Sequence, residues 1–370
     1  MEARLGKESL CCVNERCKEY GKRGKENLIV RKVYGKDQIR YLRCSSCGEE
    51  FSERKGTALY KSKIPESKAV SIIEHLDRKN GVVATAELVK VAKDTVSRLS
   101  RVTGEVFSTI HDAMVKNISP IALEFDEKWS FTGKKQKNVT DDDDKERVGD
   151  HWDVNCIDPQ SKLLVTLVPG KRTLETIQQA VLDAATRLDK DAPLPAIFTD
   201  GESAYEQAIL NAFGNRYRAA RSSNIGRPPN PVIRVPQELV YAQVVKHRQG
   251  GKVIEVEIRP IFGKGKLDSV VASLGWKKAN TSAIERFNLT DRSRNARKVR
   301  KTLNFSRNSL LHDSMSFISA LLYNFHHFNR SLNFKTHEGS LLKRTPAMAA
   351  GLVHHRFSVL ELMRICPIGL

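Results

Sequence analysis

The sequence predicts an α/β protein in which two small N-terminal modules precede a larger layered domain, and three observations carry this prediction. Five of the seven cysteines fall within the first fifty residues. Residues 64–111 then change to the apolar spacing of helices, and from residue 120 onward the pattern becomes strands followed by helices. A chain of 370 residues is long enough for two or three domains, each with its own core.

The charge balance indicates a polyanionic partner. Lysine and arginine number 62 against 43 aspartates and glutamates, which gives a net charge of +19 and a pI of about 9.6. This excess is large for an enzyme of small metabolites and favours nucleic acid as the partner. The membrane surface is the competing partner, but no basic amphipathic helix with a broad Trp, Phe and Leu face is present. The apolar runs are too short to span a bilayer and the N-terminus lacks a signal pattern, so we expect a cytoplasmic, nucleoid-associated protein.

The clustered cysteines favour a zinc site over disulfides. Cys12-x4-Cys17 and Cys44-x2-Cys47 form two thiolate pairs separated by β-prone segments, and a tetrahedral zinc ion takes two ligands from each such turn. Cys11 is a rival for the position of Cys12. Because four protein ligands close the site, the predicted zinc organises a ribbon over residues 1–60 and performs no chemistry.

Residues 61–112 predict a helix-turn-helix DNA-binding module. The segment "IPESKAVSIIEHLDRKNG" has one apolar helical face, a short helix "ATAELVKVA" follows, and "KDTVSRLSRVTGEVFSTI" gives a third. A short turn between the second and third helices is typical of the motif, whereas a helical bundle used only for packing is the alternative. In the motif, the third helix reads DNA, and the candidate residues are Thr95, Ser97, Arg98 and Arg101.

Residues 118–335 predict the layered domain. Three strands, a helix, a strand and a helix follow one another, which is the order of a ribonuclease-H-like fold: "IALEFDEKWSF", "HWDVNCIDPQSKLLVTLV" (two strands), "TLETIQQAVLDAATRL", "PAIFTDG" and "SAYEQAILNAF". Two β-like runs that meet at Gly250-Gly251 predict a β-hairpin insertion over about 214–265. Residues 336–370 are expected to form a C-terminal tail.

Three carboxylates are candidates for catalysis. Asp126 lies within a predicted strand, Asp200 ends another, and Glu285 lies near the start of a helix. Cleavage of a phosphodiester with two Mg²⁺ (or Mn²⁺) ions needs acidic side chains that converge from separate elements in this way. Each residue also has a structural interpretation without catalysis: Asp126 as a salt-bridged strand residue, Asp200 as a turn residue and Glu285 as a surface ion pair. The tract "DDDDK" at 141–145 is expected to be a solvated loop, because adjacent carboxylates cannot converge on one ion.

The segment after Glu285 is densely basic. Asn288 and Arg292 lie three and seven residues beyond it, on the same helical face, where they can contact the DNA backbone. The other basic residues cover most of the helix circumference, which favours a track for phosphates over a solvated face. This track comprises Arg294, Arg297, Lys298, Arg300 and Lys301.

Several of these segments together resemble the transposases of the insertion-sequence-one family. The resemblance lies in "LEFDEKWSFTGKKQK", "IFTDGESAY" and "NTSAIERFNLTDRSRNARKVRKTLNFSR", preceded by the cysteine ribbon, and it extends over nearly the whole chain. It implies a DDE-type transposase with a zinc ribbon, a helix-turn-helix and a ribonuclease-H-like catalytic domain. The catalytic triad then falls on Asp126, Asp200 and Glu285.

The resemblance also implies a mechanism and partners. Asp126 would bridge two metal ions while Asp200 and Glu285 each hold one, and the enzyme would cleave and join DNA at terminal inverted repeats and target DNA. We expect a homodimer or larger assembly on DNA and no small-molecule substrate. The alternatives are a DNA-binding regulator whose ribonuclease-H-like domain is not catalytic, and a nuclease without strand transfer.

The sequence departs from the family pattern in two places. Val13 follows Cys12 where the family usually has proline, and Asp291 introduces a negative charge into the basic face. The first departure bears on the zinc ligands and the second on the DNA-binding surface.

Overall fold

The protein has a mixed α/β fold, as predicted. The computed structural model describes residues 6–218, 230–336 and 338–370. The chain forms two compact units, one of Met1–Val115, Phe131–Gly149 and Asp291–Leu370, and one of Lys116–Ser130 and Asp150–Thr290. Among the described residues, no helix is both long and apolar enough to cross a membrane.

The elements follow one another in an irregular alternation. Within the described residues the strands are β1 (Leu28–Tyr34), β2 (Ile39–Cys44), β3 (Glu50–Ser52), β4 (Ala122–Thr132), β5 (Gly149–Ile157), β6 (Leu164–Gly170), β7 (Ala196–Thr199), β8 (Asn215–Tyr217), β9 (Val232–Arg234), β10 (Tyr241–Gln249), β11 (Lys252–Phe262), β12 (Phe334–Lys335) and β13 (Leu341–Leu342). The α-helices there are α1 (Glu66–Asp77), α2 (Val82–Val89), α3 (Lys93–Met114), α4 (Leu174–Arg187), α5 (Ala204–Phe213), α6 (Lys264–Ser273), α7 (Ser282–Arg294), α8 (Ser309–Phe325), α9 (Pro346–Ala349) and α10 (Val359–Arg364).

The N-terminal part of the first unit is a small antiparallel sheet in the order β1-β2-β3. Leu28, Leu42 and Phe51 are buried together with three of the cysteines, so the core of this sheet is shared with a sulfur cluster. A core this small stabilises a fold only weakly, and such modules commonly depend on a metal or on disulfides.

Helices α1, α2 and α3 match the three predicted helices to within a few residues. The apolar face predicted for the first helix is buried, and Lys90 ends α2 in the left-handed conformation with φ +56°. Two residues separate this cap from the start of α3, so the turn is as short as the sequence predicts. On α3 the buried stripe contains Val96, Leu99, Phe107 and Ile110.

Helix α3 packs against α8 at very short range. Gly104 of α3 faces Ser314 of α8, and a Cβ added at Gly104 would lie 2.4 Å from the Cα and Cβ atoms of Ser314. Real Cβ atoms do not approach this closely, because the repulsion between the atoms is severe. The absence of a side chain at Gly104 therefore sets the separation of the two helices.

Substitution at this crossing is expected to destabilise the first unit. Gly104→Val would force α3 and α8 apart and lower the free energy of unfolding by about 1–3 kcal/mol or more, the usual cost of overpacking. Chemical denaturation would measure the change. Val106→Ala on the half-buried side of α3 serves as the control, and an equal or larger loss in that variant would contradict the assignment of the close contact to Gly104.

The second unit contains a six-stranded mixed sheet in the order β11-β10-β7-β4-β5-β6. Strand β7 runs parallel to β4 on one side and to β10 on the other, whereas β5–β6 and β10–β11 are antiparallel pairs. Phe198, Ala242 and Val244 of this sheet pack against Leu267 and Val271 of α6. Helix α6 thereby covers one face of the sheet at β7 and β10.

The hairpin of β10 and β11 differs from its prediction as an insertion over about 214–265. Its turn at Gly250 and Gly251 forms as expected, with φ of +57° and +79°, the left-handed values that favour glycine in tight hairpins. However, the first three residues of β10 pair with β7, so this strand belongs to the main sheet. Parallel pairing is invisible to local sequence patterns because the partner strand is distant in the chain. Residues 219–229 of the predicted insertion lie outside the described residues.

A buried ion pair joins β4 to β5. Lys128 Nζ lies 3.1 Å from Asp153 Oδ2, both side chains are fully buried, and the ammonium group lies 5.3 Å from the centre of the Phe287 ring. Burying two charges is costly, and the pair is tolerated because each charge compensates the other. A cation over an aromatic face adds to that compensation.

Removal of one partner is expected to be strongly destabilising. Lys128→Met would leave the Asp153 carboxylate without its main counter-charge and lower the free energy of unfolding by about 3–5 kcal/mol. The double variant Lys128→Met/Asp153→Leu removes both charges and should recover most of this loss, as measured by urea denaturation. A double variant as unstable as the single one would show that the cost arises from packing.

Candidate metal centres and active site

The first candidate metal centre is a group of sulfur atoms that all lie within 4.8 Å of one another: Cys12, Cys17, Cys44 and Cys47. The Sγ atoms of Cys12 and Cys47 are 3.7 Å apart, and those of Cys17 and Cys44 are 3.9 Å apart. Ligands about 2.3 Å from a zinc ion in a tetrahedron are about 3.8 Å from one another. The donor set and its spacing therefore fit a closed, four-coordinate zinc site.

The backbone around Cys44 is arranged for a thiolate. Asn27 Nδ2 lies 3.1 Å from Cys44 Sγ, and Gly48, with φ +76°, turns the chain so that its N–H donates to the Cys44 carbonyl at 2.8 Å. Burial raises the pKa of Cys44. Hydrogen bonds from the backbone N–H groups of Cys47 and Ser46 and from the neighbouring thiols have a larger, opposite effect, and they lower the pKa of Cys44 to about 7. A thiolate binds zinc more readily than a thiol, whereas burial raises the pKa of Cys12 in the same group.

Cys11 lies outside this group. Its Sγ is 3.5 Å from the carbonyl oxygen of Ile368, and Cys366 is its thiol neighbour. Adjacent residues of an extended backbone point in opposite directions, so only one of Cys11 and Cys12 can face the other three cysteines. The structure places Cys12 there.

The second candidate metal centre is a carboxylate cluster formed by β4 and β7, with Asp126 within β4 and Asp200 directly after β7. The parallel register of these strands pairs Ala122 with Ala196 and Glu124 with Phe198, so its continuation by two residues places Asp126 opposite Asp200. The structure brings the oxygens of these two residues, together with those of Glu127, within 4.8 Å of one another. Oxygen ligands at this spacing suit a hard divalent cation such as Mg²⁺.

The three carboxyl groups are electrostatically unfavourable neighbours. Burial raises the pKa of Asp126 to about 6, and the charge of Asp200 contributes to this rise. Burial and Asp200 likewise raise the pKa of Glu127 to about 7, and burial raises that of Asp200. A divalent cation between the three groups would offset this mutual repulsion, so the chemistry of the donor set fits a metal ion.

Glu285 is close to this cluster but outside it. Its Oε1 accepts hydrogen bonds from Lys246 Nζ and, at 2.8 Å, from Thr281 Oγ1. Its charge nevertheless contributes to the raised pKa values of Asp126 and Asp200. Of the predicted triad, the structure gathers Asp126 and Asp200 and holds Glu285 beside them in an ion pair with Lys246.

Helix α7, which carries Glu285, is anchored by a buried carboxyl group at its N-terminus. Glu124 Oε2 accepts the backbone N–H of Ile284 at 2.8 Å, and the Glu124 side chain is fully buried. Backbone N–H groups at the start of a helix have no partner within the helix, and a carboxylate stabilises them. Burial raises the pKa of Glu124 to about 7. Glu124 therefore holds the N-terminus of α7, the helix that carries Glu285, against β4.

Asn288 faces the protein interior, which differs from its predicted contact with DNA. Its Nδ2 donates to Asp126 Oδ2 at 2.7 Å, and its Oδ1 accepts from Asn155 Nδ2 at 3.0 Å. Both asparagines are buried. The sequence predicts that Asn288 shares the helical face of Glu285, and in the structure it contacts the Asp126 carboxylate.

Arg172 and Glu127 are absent from the sequence prediction. Arg172 Nη2 lies 3.5 Å from Glu127 Oε2 and 2.7 Å from Glu202 Oε2, and its guanidinium lies 5.1 Å from the centre of the Trp152 ring. Strand alternation predicts that Glu127 points away from Asp126, so the sequence pattern gives no reason to place its carboxylate in the same cluster. No local pattern signalled Arg172, which reaches the site from the segment before α4.

Comparison with known proteins adds little to this geometry. No protein-family model matches the chain, and no curated protein matches it. A solved structure described as the Mos1 Strand Transfer Complex matches with 12% sequence identity over 70% of this chain and 77% of that chain, with a TM-score of 0.19. This likeness is too low to assign a fold or a function.

The basic segment after Glu285 is only partly exposed. Helix α7 ends at Arg294, and a short 3-10 turn follows at Ala296–Lys298. Arg297 and Lys298 are buried, and Lys298 Nζ lies 2.8 Å from His312 Nε2. The prediction that Arg297 and Lys298 belong to an exposed phosphate track is therefore wrong. The helix ends at Arg294, and the turn that follows directs both side chains into the protein.

The remaining members of the predicted track have different environments. Arg294 lies 2.9 Å from Asp77 and contacts His327, whereas Arg292 is half-buried. Arg300 and Lys301 are exposed. Asp291, which the sequence placed in the basic face, is buried and adds no charge to the exposed surface.

The candidate DNA-reading residues lie on the first turns of α3. Arg98 and Arg101 are exposed, and Thr95 and Ser97 are half-buried. Arg98 donates to the Lys61 carbonyl at 3.5 Å, and Arg101 forms an ion pair with Glu105 at 2.7 Å. Both arginine side chains remain accessible to a partner.

Proposed function

We propose that the protein is a metal-dependent DNA-processing enzyme, a DDE-type transposase with a ribonuclease-H-like catalytic sheet. The sheet order supports this proposal, because the consecutive strands β6-β5-β4 adjoin the parallel strands β7 and β10, with β11 added at the edge. The observation that carries the proposal is the convergence of Asp126, within β4, and Asp200, directly after β7, on two parallel central strands. An acidic cluster at the point where β7 ends in an open sheet is suited to chemistry on a phosphodiester.

We propose that Asp126 and Asp200 hold the Mg²⁺ or Mn²⁺ ions, with Glu285 as the third carboxylate and Glu127 beside them. The ions would supply an activated water or 3′-hydroxyl and stabilise the leaving oxygen. Asn288 keeps Asp126 in position through its hydrogen bond, and Glu124 fixes the helix that carries Glu285. These contacts restrict the freedom of the acidic side chains before any ion binds.

Binding to DNA is proposed for the N-terminal modules and the exposed basic residues. The zinc ribbon of residues 1–60 and the helix-turn-helix of residues 61–112 would recognise terminal inverted repeats through α3, with Arg98 and Arg101 exposed there. The net charge of +19 supports a polyanionic substrate. We further propose that the chain belongs to the insertion-sequence-one transposases and acts as a homodimer or larger assembly on paired DNA ends and target DNA.

An assay of end joining tests the proposal. Purified protein is incubated with DNA that carries the ends of its own element and with a target plasmid, in Mg²⁺, Mn²⁺ or EDTA. Joined products that require the metal support a transposase. Nicking without joining supports a nuclease instead, and retention of DNA with no new ends supports a DNA-binding regulator.

A further inference from the structure

Two cations, Arg172 and Lys246, form ion pairs with acidic side chains in or beside the carboxylate cluster. Arg172 contacts Glu127 and Glu202 through Nη2, so one guanidinium faces two carboxylates. The ring of Trp152 lies beside it, with the ring centre 5.1 Å from the guanidinium carbon. The guanidinium keeps further N–H donors in a planar fork that matches a phosphate group. Its side chain is 40% exposed, so a ligand in solution can reach it.

Lys246 is the ion-pair partner of Glu285, as Arg172 is of Glu127 and Glu202. It lies on β10, and its ammonium group is bonded to Glu285 Oε1 while its side chain is 25% exposed. Thr281 donates to the same oxygen at 2.8 Å, so Glu285 keeps a hydrogen-bond donor when Lys246 moves away. An ammonium group on a flexible stem moves between neighbouring anions at little cost.

We infer that Arg172 and Lys246 form a phosphate-binding track at the carboxylate cluster. In the protein alone they are bonded to Glu127 and Glu285, and they transfer to DNA backbone phosphates when divalent cations occupy those two carboxylates. This inference rests on the proposed function and adds the residues that hold the phosphates flanking the reacting one. The two residues approach the cluster from separate elements, the segment before α4 and strand β10.

The exchange follows from charge balance. A carboxylate that neutralises a lysine or an arginine is a poorer ligand for a metal ion, and a metal ion that takes the carboxylate leaves the cation without its counter-charge. A DNA backbone supplies a new anion at that point. Metal and DNA therefore favour each other's binding through the same two side chains.

The salt dependence of DNA binding tests this track without requiring cleavage. The affinity of the full chain for a short DNA duplex of fixed sequence is measured at several NaCl concentrations, in Ca²⁺ and in EDTA. In Ca²⁺, Arg172→Gln and Lys246→Gln should each reduce the slope of log affinity against log salt by about 0.9, the value for one phosphate contact on duplex DNA. In EDTA the same variants should change the slope little, since the carboxylates then hold both cations.

Control variants separate a phosphate contact from a structural ion pair. Lys190→Gln removes one exposed charge before β7, at the other end of that strand from Asp200, and should leave the slope unchanged. Arg172→Lys keeps the charge and should keep the slope. Slopes equal to that of the unaltered protein in both Gln variants in Ca²⁺ would overturn the inference. A failure of strand joining alongside the expected slopes would count against the proposed function and leave the track supported.

Discussion

Asp126→Asn is expected to lower the rate of metal-dependent DNA strand cleavage by about a thousandfold. Metal ions at a phosphodiester supply several kcal/mol of stabilisation in the transition state, and a loss of about 4 kcal/mol corresponds to that factor. Asp126 belongs to the carboxylate cluster and lies opposite Asp200. The measurement is the initial rate of nicking of an end-bearing DNA substrate in Mg²⁺.

The fold of the variant should be intact. Burial and the charge of Asp200 raise the pKa of Asp126 to about 6, so its charge is unfavourable in the folded protein at neutral pH, and a neutral Asn removes that cost. We therefore expect a melting temperature no lower than that of the unaltered protein. Asp141→Asn, in the exposed acidic loop, is the matched control and should keep full activity. Equal rates for both variants would exclude Asp126 from catalysis.

A pair of variants distinguishes Glu285 from Glu127 as the third carboxylate that binds the metal ions. Glu285→Gln should reduce cleavage as severely as Asp126→Asn if Glu285 leaves Lys246 to bind a metal ion. Glu127→Gln should then have a much smaller effect. The reverse order of effects would assign the third position to Glu127, which lies within the cluster.

Removal of the predicted zinc ion is expected to unfold the N-terminal sheet. Structural zinc contributes about 10 kcal/mol or more to small domains, which is comparable to the whole stability of a typical fold. Cys47→Ser removes one of the four clustered thiols and should abolish stoichiometric zinc in the purified protein. Atomic absorption measures the metal, and limited trypsin digestion measures the unfolding, because β1 and β2 contain several basic residues.

Cys11→Ser is the matched control for this experiment. Cys11 is adjacent to Cys12 in sequence but faces Ile368 and Cys366. The variant should retain one zinc ion per chain and resist trypsin in the region of β1 to β3. Loss of zinc in Cys11→Ser and its retention in a Cys12→Ser variant would assign the first ligand position to Cys11.

The sequence predicted the secondary structure better than the arrangement of the elements. The helices α1 to α3 and the strands β4 to β7 have strong apolar periodicity and clear boundaries, so local physical chemistry determines them. The place of β10 beside β7 depends on hydrogen bonds between residues more than forty positions apart, as in Tyr241 with Ile197. No local pattern carries that information.

The same distinction applies to the candidate site. The proximity of Asp126 and Asp200 follows from their positions in and directly after two strands, because the parallel register of β4 and β7 sets the two residues opposite each other. The sequence does not predict Glu127 and Arg172 as neighbours of these residues, because their proximity depends on side-chain conformations and on contacts between distant segments. Arg297 and Lys298 were misplaced because the sequence extends the helix, whereas the chain leaves it after Arg294 and buries both side chains.

The close contact of Gly104 with Ser314 has a consequence for biosynthesis. Helix α3 is complete long before α8 emerges from the ribosome, since about two hundred residues of chain separate them. The apolar stripe of α3 that packs on α8 stays uncovered throughout that interval, during which it is open to chaperones or to another nascent chain. A product terminated before Ser309 would retain this uncovered stripe permanently and would be a target for degradation.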